Sequence, residues 1–241
     1  MTDTLRIRNS YILPTHQQIA LHYYTSPLKH KMTKLIVVVG VTGNQGGSVA
    51  ASFLENPEWR IRGLTRDTNS EKSQWLASQG VEMVQCNLHD PESLKEVFKG
   101  ANLVFSITDF WAPFFDPANR VRAEKEGKPI GQLAYELELE QGKNIADAVA
   151  REVEGLDEVG FIASTLCSPR KASNGKYTEL WHFESKAKAF PIYVEEKHAA
   201  LARKTSYLHT GYFFTSWRFL PGRWFAKVPS SLFPDIFYFY C

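Results

Sequence analysis

Cysteine is scarce: 3 in 241 residues, at Cys86, Cys167 and Cys241. Their spacing matches no metal motif, and so few thiols make no disulfide framework, so a reducing compartment is expected. An excess of charge of one sign is missing too. Lys and Arg total 28 against 26 Asp and Glu, a net +2, which gives no electrostatic case for a nucleic-acid partner. No apolar run approaches the roughly 20 residues of a membrane helix, so no membrane association is expected. What remains is the profile of a globular chain, 44% hydrophobic and 22% charged. The length suits one α/β domain with at most a small second lobe.

The richest stretch is Lys34-Leu35-Ile36-Val37-Val38-Val39-Gly40-Val41-Thr42-Gly43-Asn44-Gln45-Gly46-Gly47-Ser48. Leu35 to Val39 is an apolar, mostly β-branched run, as in a strand covered on both faces. Gly40 lets the chain turn off that strand. Gly43 lets a phosphate approach the backbone, and Gly46 lets the following helix pack closely. A helix start there offers free N–H groups and a positive dipole end to an anion. The spacing is G-x-x-G-x-x-G rather than the commoner G-x-G-x-x-G, but its place between strand and helix points to a dinucleotide pyrophosphate.

Alternation continues downstream. Strands are expected at Trp59–Thr65, Val81–Cys86, Asn102–Thr108 and Glu158–Ser164, and helices at Glu71–Gln79, Asp90–Phe98 and Glu136–Val153. Asp90-Pro91-Glu92 carries helix-start signals. The pattern predicts a doubly wound parallel sheet of α/β class, a Rossmann fold, with ligands outside the carboxyl ends of the strands.

The residues just after each strand are therefore informative. Arg66 stands about twenty residues past the glycines, where an acid would hold a ribose 2′-OH. Its planar charged fork suits the 2′-phosphate of NADP instead. Thr68, Asn69 and Ser70 add donors in the same turn, while the acid Asp67 points the other way, to NAD. Asn87 either meets an adenine edge or satisfies its own turn. Thr108-Asp109-Phe110-Trp111 is either a core lid or a ligand platform. Ser164 ends the fifth strand where reductases of this fold place a serine before a Tyr-x-x-x-Lys pair. Tyr177 has Trp181 four residues on, not lysine. Tyr193 and Lys197 match the pair but follow Pro191, and read as an exposed helical face. His182 and His198 read as surface residues, and no metal site is expected.

The two ends differ from the middle. In residues 1–31, Arg6, Arg8, Lys29 and Lys31 stand against Asp3 alone. An organellar presequence is one reading, but Pro14 spoils the amphipathic helix. The expectation is a disordered or extraneous extension. Residues 221–241 are an aromatic-rich tail with no periodic element, read as a truncated second lobe. Without that lobe the surface would be an apolar patch open to self-association.

Taken in order, Val39 to Ser48, Thr65-Arg66, Thr108-Asp109-Phe110-Trp111, Glu140 to Ala148, His182-Phe183-Glu184-Ser185-Lys186 and Lys204-Thr205-Ser206 resemble the NmrA-like family. This is an atypical branch of the short-chain dehydrogenase/reductase superfamily. The likeness is greatest to fungal NmrA-like oxidoreductases and related NADPH sensors, and covers about residues 34–220 within a domain set at 32–220. It implies an NADP-binding Rossmann domain. Gly40, Val41, Thr42, Gly43, Asn44 and Gln45 would hold the pyrophosphate, and Arg66, Asp67, Thr68, Asn69 and Ser70 the adenosine phosphate. Asn87 and Leu88 would flank adenine, and Thr108, Asp109 and Phe110 would line the ribose and nicotinamide side. Lys186 would bond the nicotinamide ribose, and Tyr212, Phe213, Phe214 and Thr215 would close over the ring.

The family divides in role. Some members are oxidoreductases, often of fungal secondary metabolism; others lack the active-site tyrosine and sense NADP(H) while binding a transcription factor or another protein. The expectation here is an oxidoreductase acting on a small molecule, with the sensor as the alternative and no proton donor identified. The address expected is the cytoplasm, with the nucleus as a second location. Two departures from the family stand out. Pro191 breaks or kinks the helix that follows Lys186, and the second lobe is largely missing.

Overall fold

The computed structural model describes residues 33–211 and 213. Six strands form one sheet: β1 (Lys34–Val39), β2 (Trp59–Thr65), β3 (Glu82–Gln85), β4 (Leu103–Ser106), β5 (Phe161–Thr165) and β6 (Thr205–His209). Every pairing is parallel, and the order is β3-β2-β1-β4-β5-β6. This is the doubly wound arrangement, in which the order reverses between β1 and β4 and leaves a crevice at that point. The longer helices are α1 (Asn44–Leu54), α2 (Glu71–Ser78), α4 (Pro117–Lys125) and α5 (Ile130–Ala150). Shorter ones are α3 (Trp111–Phe115), α6 (Pro169–Ala172), α7 (Trp181–Ala187), α8 (Val194–Lys197) and α9 (Ala199–Ala202).

β1 is buried because its side chains alternate between two cores. Leu35, Val37 and Val39 join Phe98, Ile145, Val149 and Phe161 on one face. Ile36 and Val38 join Val41, Ile61, Leu76 and Phe105 on the other. A strand covered on both faces must be apolar at every position, which explains its unbroken run of valine and isoleucine.

Three expectations change. Asp90–Phe98 is a run of tight turns rather than a helix. Its N–H groups reach back three residues, from Ser93 to Asp90, Leu94 to Pro91 and Lys95 to Glu92. Ser93 Oγ, at 2.8 Å from the carbonyl oxygens of both Asn87 and Asp90, bonds the backbone in place of a helical ladder. The turns still bury Leu94 and Phe98. The helix expected from Glu136 begins at Ile130 behind Pro129. α3 and α4 were not expected, although Asp116 caps α4, accepting from the Ala118 N–H, with Pro117 at its first position.

The break at Pro191 is present. α7 ends at Ala187 and a wide helical stretch follows, Lys188–Tyr193, in which Phe190 is extended (φ −139°, ψ 106°). Proline crowds the residue before it out of the helical region. Lys186 lies ahead of the break, inside α7. Among the described residues no helix is long and apolar enough to cross a membrane.

Candidate dinucleotide site

A cavity of about 1010 Å³ opens outside the carboxyl ends of the strands, at the β1–β4 reversal. Its first wall is the glycine loop. Gly40 has φ +66°, the left-handed region where glycine is unstrained. Gly43 N–H donates to the Gly40 carbonyl at 2.9 Å, closing the turn. A Cβ on Gly46 would lie 2.3 Å from that same carbonyl oxygen, so α1 can start this close only with glycine there. Gly43 is the N-cap of α1, and no side chain caps it. The first N–H groups of α1 therefore face the cavity without an internal partner, a cradle suited to an anion. Val41 points the other way, into the core, where it fills the space over Gly63.

Arg66 stands on the rim, exposed, with no hydrogen bond or ion pair to the described residues. Its neighbours shape the turn. Asp67 Oδ1 accepts from the Asn69 N–H at 2.8 Å, and Ser70 caps α2, accepting from the Ser73 N–H. Asp67, Thr68, Asn69 and Ser70 do not line the cavity, which leaves Arg66 as that run's contribution. Asn87 and Leu88 line it from the next strand end. Asn87 Oδ1 accepts from the His89 N–H at 3.1 Å, and the Leu88 carbonyl accepts from Asn144 Nδ2 at 2.9 Å. Asn144, in the Glu140–Ala148 segment, thus pins the loop after β3.

The opposite wall is polar and buried. Glu138 of α5 is 1% exposed. Its Oε1 accepts from Thr108 Oγ1 at 2.7 Å and pairs with Lys186 Nζ, and its Oε2 accepts from Ser185 Oγ. Lys186 Nζ also donates to the Thr108 carbonyl at 2.8 Å. A charge this deep persists only when paired, so the four groups hold one another, and Lys186 and Thr108 line the cavity. Ser164, one residue before the end of β5, donates to Gln45 Oε1 at 2.8 Å and ties the glycine loop to the other half of the sheet.

Aromatics close the mouth. Phe110 is buried, while Trp111 beside it is 48% exposed. Asp109 Oδ1 holds this corner, accepting from the N–H groups of Trp111 and Ala112. Phe213 also lines the cavity. Tyr212, Phe214 and Thr215 lie outside the described residues.

The two histidines are not plain surface residues. His198 Nε2 lies 2.6 Å from Asp147 Oδ1, which also accepts from the Tyr193 hydroxyl at 2.9 Å. His182 lines the cavity, its ring 5.2 Å from Trp111 and 5.7 Å from Phe110, centroid to centroid. Burial pushes its pKa down; the nearby Glu138 carboxylate opposes this and Lys186 reinforces it. Neither Tyr177 nor Tyr193 lines the cavity. Among the described residues, no group of three or more His, Cys, Asp and Glu could hold a metal. His182 was missed because Phe110, Trp111 and Glu138, which place it in the site, lie 44 to 72 positions away; its local signal was a place four residues before Lys186.

The chain is similar to known proteins. Residues 32–219 match the model of the NmrA-like family. An NmrA-like family domain-containing oxidoreductase of Aspergillus hancockii is 36% identical over 144 residues, 60% of this chain and 37% of that protein. An NmrA-like family domain-containing protein of Dictyostelium discoideum is 30% identical over 147 residues, 61% of this chain and 40% of its own length. The chain thus spans well under half the length of these relatives. Among solved structures, the negative transcriptional regulator NmrA in complex with NADP superposes with a TM-score of 0.52 at 19% identity, over 75% of this chain and 46% of that one. NmrA in complex with NAD gives 0.53 at 18% identity, with the same coverage. The fold, the glycine loop and the family match agree, and the chain belongs to the NmrA-like family.

Proposed function

We propose that this chain binds NADP(H) in the cavity and serves an NADP-dependent oxidoreductase reaction on a small molecule. The observation that carries the reading is the uncapped α1 N-terminus at Gly43, facing the same cavity as Arg66 and Lys186. The α1 N–H groups and the glycine backbone would receive the pyrophosphate, and Arg66 would form a fork to a 2′-phosphate. Thr108 and Lys186 would orient the nicotinamide ribose, with Phe110 and Trp111 beside the ring. Bound there, the cofactor supplies or accepts a hydride; the protein supplies orientation and a dry wall. The relative from Aspergillus hancockii, itself named an oxidoreductase, supports the reading, as do the NmrA complexes with NADP and NAD.

A second reading is a non-catalytic NADP(H) sensor that binds a regulatory protein. What favours it is that no tyrosine lines the cavity among the described residues, so no Tyr-x-x-x-Lys pair forms there. Calorimetric titration with NADPH and NADH tests the shared part. Tighter NADPH binding, lost in Arg66→Ala, is expected. Binding of neither sinks both readings, and tighter NADH binding refutes the role given to Arg66. Stopped-flow oxidation of NADPH against a carbonyl panel separates the two: turnover supports the enzyme, and binding without turnover supports the sensor.

A further inference from the structure

We infer that His182 is the acid–base residue of this cavity, exchanging a proton with the oxygen of a flat aromatic carbonyl or alcohol that lies against Trp111 and Phe110. The inference rests on the oxidoreductase reading above and names its missing proton donor.

His182 and Lys186 are four residues apart in α7, so they share a face one turn apart, and both line the cavity. The imidazole sits in a nest of rings, 4.8 Å from Phe183 and 5.2 Å from Trp111. Neither ring nitrogen is bonded to any described residue, so both are open to a ligand. The other candidates at the mouth are occupied. Asp109 accepts from the N–H groups of Trp111 and Ala112, Asp116 caps α4, and Ser164 donates to Gln45.

The charges around His182 set its resting state. Desolvation by the aromatic nest favours the neutral ring, and Lys186 on the same helix adds to this. Glu138 on α5 acts against it, but that carboxylate is already paired with Lys186. A neutral imidazole is a base at neutral pH. In alcohol oxidation the hydroxyl proton passes to a free nitrogen of His182. The carbinol C–H leaves as hydride to NADP+, and the O–H electron pair becomes the second bond of the carbonyl. In reduction the steps reverse: the imidazolium gives its proton to the carbonyl oxygen as NADPH hydride reaches the carbon. His182 is partly buried and lines the open cavity, so its proton can then exchange with water there. Trp111, half exposed beside it, offers a flat face that selects an aromatic partner.

The test uses the full chain labelled with 15N-histidine, with 2-naphthylmethanol and 2-naphthaldehyde as probes. NADPH binding is measured first by fluorescence; a wild-type chain that binds none overturns the oxidoreductase reading itself. Given binding, the His182 signals, assigned by their loss in His182→Gln, are expected to titrate below the usual imidazole range. They should also shift when 2-naphthaldehyde is added to the NADP+-loaded protein. His182→Gln should keep wild-type NADPH affinity, lose turnover by about 100-fold and, in 2-naphthylmethanol oxidation, lose the acid-side inflection of its pH profile. Lys186→Met should raise the His182 titration, a readout independent of turnover. The inference is overturned by His182 signals that ignore the probe. It is equally overturned by wild-type rate and pH profile in His182→Gln, or by a wild type that binds NADPH but turns over neither probe.

Discussion

The half of the sheet around β1, β2 and β3 and the half around β4, β5 and β6 handle polar groups in opposite ways. In the first, the residues packed inside are apolar, and the cavity wall is backbone: glycines, a helix start and a turn. In the second, Thr108, Glu138, Ser164, Thr165, Glu184 and Ser185 are all buried polar side chains, while among the described residues Ser73 is the one such residue of the first half. Backbone shape can hold a group common to every dinucleotide, such as a pyrophosphate. Side chains with defined donors can place a proton or a ribose hydroxyl. Under the proposed function, binding falls to one half and chemistry to the other.

The largest effect should come from removing the buried carboxylate. Glu138→Ala removes the acceptor that Lys186, Thr108 and Ser185 share and leaves the Lys186 ammonium without its counter-charge, and urea unfolding should show a loss of about 3–5 kcal/mol. A loss under 1 kcal/mol on that scale would mean the second half is not organised around this pair. Next comes the glycine half. Gly46→Ala puts a methyl against the Gly40 carbonyl, and the backbone has no side-chain end to swing aside. The expected cost is about 1–3 kcal/mol of stability, with NADPH affinity falling further than stability explains. Unchanged affinity would separate the loop from the cofactor.

Arg66→Ala sharpens the comparison without disturbing the fold. A charge-assisted bond to phosphate is worth about 1.5–3 kcal/mol, so NADPH affinity should fall about tenfold to a hundredfold while NADH affinity holds. The smallest effect belongs to Tyr207 in β6, whose buried hydroxyl has no partner among the described residues. Burial pushes its pKa up to about 12, with Glu195 adding to it. A folded pKa above the unfolded one keeps its contribution intact below pH 10 and loses it as pH rises through about 12. Tyr207→Phe should therefore leave neutral-pH stability nearly unchanged and flatten the alkaline loss in a pH series of thermal melts.

The same division explains what the sequence disclosed. β1 and its loop were legible because their causes are local: a run buried on both faces, then glycines where the backbone must turn. The helix expected from Glu71 also begins there, as α2. Asp90-Pro91-Glu92 misled because a capping aspartate and a proline open tight turns as readily as helices, and Ser93 tipped the choice. Asp116-Pro117 did announce α4 but went unread beside the aromatic cluster. Lys186 was reachable only through resemblance, since its partners Thr108 and Glu138 lie 78 and 48 residues away. For His182 the local pattern offered only its spacing of four from Lys186.

Hydrogen–deuterium exchange with two ligands tests this division most directly. Adenosine 2′,5′-bisphosphate should protect the segments around Arg66 and Leu88 while leaving residues 181–187 at their free rates. NADPH should protect those segments, the uncapped start of α1 at Asn44 to Gly46, and α7 with Lys186. Protection by NADPH confined to the first half, or equal patterns for the two ligands, would contradict the claim that one cofactor joins the binding half to the chemical half.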